Sequence, residues 1–228
     1  MTPMPTRNIL AACASLTAIL IAATAVHTTH RVQAQSKTYS PEYTKSGELI
    51  APTNYRQWIF LTSGFDMTYR ERKGAPDHSM FDNVFVNPEA YASFLETGTW
   101  PDKTVLVLEN RGAQEKGEVI VKGGRFQGTE VMGLEVHVKD STHFNREGIG
   151  GQWGFYDVGS DGKGKLFEPS ASCYTCHAQH AAVDTTFVQF YPTLIELAAK
   201  KGTLSDAYRR ERDSSQPAAP ESKQSPKP

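Results

Sequence analysis

The sequence predicts an α+β fold that is predominantly antiparallel β: a curved sheet with a few short helices, one of them in a C-terminal segment. Three observations carry that expectation. Six short runs are rich in β-branched and aromatic residues, and two of them alternate apolar and polar side chains as half-buried strands do. Glycines at 123–124 and 148–151 punctuate several of these runs as turns. Helical spacing appears in only two stretches, too little for a four-helix bundle.

The elements follow in chain order. Gln57-Trp58-Ile59-Phe60-Leu61, Asn83-Val84-Phe85-Val86-Asn87 and Thr104-Val105-Leu106-Val107-Leu108-Glu109 read as the first three strands. Arg125 to Thr129 and Gly133 to Lys139 alternate, and Gln152 to Val158 is the last. One helix should follow Asn87-Pro88, with Asn87 capping and Pro88 at the first helical position, and should end at Gly98. Phe187, Phe190, Leu194, Leu197 and Ala198 mark a second from about Thr185 to Lys200, with Pro192 able to divide it and Gly202 as its stop.

Between these helices stands the most specific motif, Cys173-Tyr174-Thr175-Cys176-His177. This C-x-x-C-H run is the attachment signature of c-type haem: two thiols form thioethers to one haem, and the next residue is delivered under the ring as iron ligand. A redox dithiol or half a zinc site is the competing reading. Zinc would want a second ligand pair, a thioredoxin-like dithiol a βαβ context, and neither is evident.

The N-terminus fits export, which this attachment chemistry requires. One basic residue precedes a nearly unbroken apolar run from Ile9 to Val26, and Val32-Gln33-Ala34 offers a small-residue cleavage site. Residues 1–34 are therefore expected to be a signal peptide addressed to the periplasm, with an uncleaved anchor as the alternative. The Leu10-Ala11-Ala12-Cys13 box resembles a lipoprotein signal, but the apolar stretch lies mostly after Cys13. Residues 35–48 read as a polar lead-in, 49–212 as the haem domain, and 213–228 as a disordered tail without aromatic or branched apolar residues. Cleavage would remove Arg7 and Arg31, leaving 22 basic against 25 acidic side chains. No basic patch suggests a nucleic-acid partner. The only cysteines left would be Cys173 and Cys176, so no disulfide is expected once haem is attached.

A late motif excludes the usual electron-transfer arrangement, in which a methionine ligand follows; Met67, Met80 and Met132 all precede it. A haem on a β-rich body resembles the cytochrome P-460 family, which includes the cytochromes c′-beta. The resemblance spans roughly Leu49 to Gly202. It rests on Asn54-Tyr55-Arg56-Gln57-Trp58, Val84 to Tyr91, Thr97 to Asp102, Val138-Lys139-Asp140-Ser141, Gly151 to Tyr156, the haem motif and Phe187 to Pro192, in that order. It implies a small antiparallel-sheet cytochrome, a homodimer, and a haem with histidine on one face and an open site on the other. Some members carry a lysine linked to the haem ring and oxidise hydroxylamine; others lack that link and bind nitric oxide or carbon monoxide under aromatic side chains.

By that resemblance Leu108 stands where the cross-linking lysine would lie, and leucine has no nucleophilic nitrogen. Lys103 is near in sequence but sits in the preceding turn, where alternation does not place it equivalently. Phe81 and Trp100 are the first candidates for an aromatic cap, with Phe60 and Phe65 behind them. Glu168, five residues before Cys173, is the candidate proton-transferring carboxylate. Asp82 and Asn83 replace a pocket arginine of some relatives. His78, His137 and His143 are weak candidates for a sixth ligand, His137 being expected on the exposed side of its strand; His180 is expected at a propionate or in solvent. Lys139-Asp140-Ser141 reads as a structural strand end and turn.

The expectation is thus an exported mono-haem c-type cytochrome. It would bind nitric oxide, carbon monoxide or another small nitrogen-oxide ligand in a pocket touched by Phe81, Trp100 and Leu108, for nitric oxide buffering or detoxification. A hydroxylamine-oxidising enzyme, a one-electron carrier serving a redox partner protein, and a peroxide reductase are the rivals, so the question of enzymatic activity stays open.

Overall fold

The computed structural model describes residues 39–69, 73–115 and 122–215. The chain divides into residues 1–38 and 39–228; the first unit, and with it the expected signal segment, lies outside the described residues. Among the described residues, no helix is long and apolar enough to cross a membrane.

Eight strands form one open antiparallel sheet: β1 (Glu42–Tyr43), β2 (Leu49–Ile50), β3 (Ile59–Phe65), β4 (Met80–Val86), β5 (Val105–Gln114), β6 (Phe126–Lys139), β7 (Trp153–Val158) and β8 (Lys163–Leu166). Their order is β1-β2-β8-β7-β6-β5-β4-β3. Four helices accompany it: α1 (Pro88–Thr97), α2 (Ser172–His180), α3 (Ile195–Lys201) and α4 (Asp206–Ser215). The α+β reading therefore stands. The two alternating runs around Gly128 and Gly133 are one long strand, β6, bent by register shifts against β5 at Asn110–Arg111 and Arg111–Ala113.

The registers sort the side chains onto two faces. Val86, Leu106, His137 and Phe155 lie side by side, as do Val84, Leu108 and Glu135. This face packs under the helices, in a core with Phe94, Trp100, Trp153 and Leu194. The other face presents Val105, Val107, Val136, Val138 and Tyr156 to Leu49, Tyr55, Trp58 and Phe144. Gly154 is required for that second layer: a Cβ there would come within 2.3 Å of the Phe144 ring.

Three local expectations change. The lead-in is not loose, because Glu42–Tyr43 pairs with Leu49–Ile50 and Tyr43 Oη donates to Asp140 at 3.0 Å. Asn87 precedes α1 but makes no side-chain cap; its Oδ1 accepts from the Val105 backbone N–H at 2.8 Å, tying the helix start to β5. Gly98 ends α1 at φ 77° as foreseen. The second helical stretch divides at Pro192, as its sequence allows, into a 3₁₀ turn, Val188–Phe190, and α3. Finally, the expected tail from Asp213 begins inside α4, which continues through Ser215; its remainder lies outside the described residues.

Candidate functional site

The site is built on α2 and the sheet face beneath it. Cys173, Cys176 and His177 stand at i, i+3 and i+4, which puts them on one side of a helix. Tyr174 points elsewhere and anchors the helix. Its buried ring meets Phe155 edge-on at 4.8 Å, and its hydroxyl donates to Phe167 O and accepts from the Phe155 N–H, both at 3.3 Å. Gly150, at φ 92°, makes room for it, since a Cβ would lie 2.8 Å from the Tyr174 ring. The spacer residue of the motif thus fixes the orientation of its three functional neighbours.

Cys173 and His177 line a cavity of about 320 Å³ between α2, the sheet and the 3₁₀ turn. Its apolar wall includes Val84, Leu106, Leu108, Phe155, Phe187 and Tyr191. Cys176 faces a neighbouring cavity of about 520 Å³ that shares Tyr69, Phe187 and Phe190 with the first. Cys173 and Cys176 form no disulfide with one another, and burial pushes the Cys173 thiol pKa up.

His177 Nδ1 lies 2.8 Å from the Thr185 carbonyl. A carbonyl can only accept, so Nδ1 carries the proton and Nε2 keeps its lone pair. Burial pushes the imidazole down to about 4, against the pull of that hydrogen bond, so the ring is neutral near pH 7. A neutral imidazole held at Nδ1 by a backbone oxygen is what a metal ligand requires. Phe155 and Phe187 flank it, with ring centroids at 4.6 and 4.3 Å.

His137 is a correction. It is buried rather than exposed, stacks on Phe155 at 3.8 Å, and stands 5.3 Å from the His177 ring. Burial, and then His177, drive its basicity well below the usual histidine range. Its Nε2 has no partner among the described residues. The expectation failed because the Leu134 to Val138 alternation has two buried sides, not one.

The other candidates separate. Leu108 lines the cavity, opposite Glu135 in the sheet. Phe81 and Trp100 do not. Phe81 is on the reverse of β4 from Asp82 and packs on Phe65 at 5.0 Å. Trp100 is buried against Phe94 at 4.3 Å and donates through Nε1 to Thr186 Oγ1 at 2.7 Å. Phe60 is exposed. The cavity rings are instead Tyr69, Phe155, Tyr156, Phe167, Phe187, Phe190 and Tyr191. Glu168 is exposed and outside the wall. The carboxylates in the wall are Asp82 and Glu135. Burial raises both; Asp157 and Asp82 add to the shift of Glu135. Two-residue periodicity from Leu108 would have found Glu135 once the β5–β6 register was known. Lys103 is far from this chemistry: its ammonium bonds Asp140 and, at 2.8 Å, Thr142 Oγ1. His180 Nδ1 lies on Glu211 at 2.9 Å.

An aromatic-walled cavity, a neutral imidazole with a free Nε2, and thiols at i and i+3 on the same helix fit a haem, whose apolar ring needs such a wall and whose iron needs such a nitrogen. The class the fold and site define is a haem protein on an open antiparallel sheet. A model of the Cytochrome P460 family matches residues 52–188, and the chain belongs to that family. No curated protein matches the chain. Membership implies a haem cofactor and marks the chain as a cytochrome.

Proposed function

We propose that this chain is an exported, mono-haem c-type cytochrome that binds a neutral diatomic ligand, nitric oxide above all, for buffering or detoxification. Cys173 and Cys176 would hold the haem through thioethers, and His177 Nε2 would be its iron ligand. When bound, the haem supplies an iron with one coordination position for a small ligand. The protein's own part is to keep His177 neutral and oriented through Thr185, to line the cavity with aromatic rings that exclude water, and to present Leu108 to the ring.

Leu108 is the observation that carries the reading. It lines the cavity, and by the family resemblance it stands where a lysine would cross-link the haem, a bond leucine has no nitrogen to form. Mass spectrometry of the haem peptide around Cys173 should therefore show haem, two thioethers and no second peptide. A haem-linked peptide containing Lys103 or another lysine would revive hydroxylamine oxidation.

The cavity is less apolar than the sequence implies, and this sharpens the ligand preference. Asp82 and Glu135 repel anions while leaving a neutral diatomic unaffected. The reduced protein should take up nitric oxide with a clear change in its absorption, and the oxidised protein should bind cyanide poorly. Glu135→Gln should raise cyanide affinity roughly threefold, the scale of one solvent-screened charge removed from the cavity rim, without changing nitric oxide uptake. Equal effects on both ligands would reject the electrostatic account.

Two observations favour the other readings. Glu135, with its raised carboxyl, is a group able to carry a proton for oxidation of a bound nitrogen compound. Met67, which lines the same cavity, could complete a His/Met pair suited to electron transfer. A six-coordinate low-spin spectrum of the reduced protein, indifferent to nitric oxide and lost in Met67→Ala, would establish the latter.

A further inference from the structure

The loop that receives the His177 hydrogen bond is held in a conformation it would not adopt alone. Asp184 and Thr185 lie at φ 47° and 57°, consecutive left-handed residues, the second β-branched. Such positions are strained and persist only where the surroundings impose them. The Thr185 side chain does not explain the choice, because its buried Oγ1 has no partner among the described residues. What the conformation delivers is the Thr185 carbonyl, 2.8 Å from His177 Nδ1.

The imposing contacts come from three other elements. The Asp184 carboxylate accepts from Lys139 Nζ at 2.6 Å, at the end of β6, and from Trp153 Nε1 at 3.2 Å, at the start of β7. Lys139 Nζ also donates to Trp100 O at 2.8 Å. Trp100 Nε1 in turn donates to Thr186 Oγ1, which donates to Val183 O at 2.7 Å. Backbone bonds between Val183 and Thr186 close the turn.

We propose that Lys139 and Asp184 are positioning residues for the proximal histidine: their ion pair locks the strained turn so that Thr185 O holds His177 Nδ1–H, and thereby sets how strongly the imidazole donates to the iron. This rests on the haem reading above. It gives Lys139 of the Lys139-Asp140-Ser141 stretch a role beyond ending a strand, and it explains Trp100 as a strut for the turn rather than a cap.

The test compares wild type with Lys139→Met, Asp184→Asn and Lys139→Arg, each purified with haem attached. Losing the Nδ1 hydrogen bond makes the imidazole a weaker donor. In Lys139→Met and Asp184→Asn, the iron–histidine stretching band of the reduced protein should move to lower frequency and broaden, and the reduction potential should rise. Lys139→Arg should restore both toward wild type. Trp153→Phe, which removes only the second donor to Asp184, should give a smaller shift in the same direction and serves if the ion-pair variants do not fold. Haem-loaded, folded variants with wild-type band and potential overturn the proposal. Failure of the haem reading itself looks different, since the wild-type protein would then emerge colourless.

Discussion

The variant Cys173→Ser/Cys176→Ser, produced alongside the machinery that attaches haem, should be recovered without covalent haem and largely unfolded. The size of the effect follows from the cavity. At about 24 cal/mol per Å³ of unfilled volume, about 320 Å³ corresponds to roughly 8 kcal/mol. That is an upper bound, because an open mouth admits water, yet it approaches the whole stability of an ordinary domain. The residues left facing it, Leu106, Leu108, Phe155 and Phe187, join both the sheet and the C-terminal segment, so the loss would spread through the core. Loss of one thiol should be milder, since a single thioether still retains the ring and every contact it makes. Acid–acetone extraction followed by absorption of the protein fraction measures attachment, and circular dichroism measures folding. Haem that stays with the double variant through extraction would end the assignment of these thiols.

How much of this was legible in the sequence depends on whether the signal was local. The haem motif, α1 with Pro88 and Gly98, and five of the strands are local patterns, and each appears close to where it was expected. Leu108 in the cavity wall was also legible, because strand alternation sets which side of β5 it takes. The cap was not. Phe81 and Trp100 flank the right segments, but Phe81 falls one residue out of phase with Asp82, and one residue reverses a strand side chain. Glu168 has the right chemistry next to the motif, yet its chain leaves the site in a turn. Glu135 and Asp82, distant in sequence, meet at the cavity only through the β4–β5–β6 register. The strained turn at Asp184-Thr185 carries no glycine to announce it, and its partners Lys139, Trp153 and Trp100 come from three separate segments. Long-range register and side-chain to backbone bonds, more than secondary structure, were the hidden part.

Glu109→Gln should lower the melting temperature by roughly 4–8 °C at pH 7, and that difference should fade in acid. Glu109 directly follows Leu108, so alternation sends it to the other face of the sheet, where it is only 2% exposed. There it meets Arg111 Nε at 2.5 Å and Arg56 at 2.6 Å, and accepts a short bond from the Tyr55 hydroxyl. Burial pushes the carboxyl up, but the bonds from Arg111, Tyr55 and Arg56 outweigh it and hold it down at about 2, against 4.5 ordinarily. A carboxyl depressed in the folded state binds its proton less readily than in the unfolded chain. Its contribution is therefore complete above pH ~4.5 and is lost as the pH falls through that value toward ~2. The depression is worth about 3 kcal/mol at most, and about 2 once the half-exposed Arg56 is allowed its solvent screening, which for a domain of this size is the stated few degrees. Glutamine keeps the shape and cannot take the charge, so it should behave like the protonated wild type. Thermal unfolding of both proteins from pH 7 to pH 2 should show the two curves converging, because the acid loss at Asp140, also held at about 2, is common to both. A gap that stays constant to pH 2 would mean that Glu109 acts by packing rather than by charge.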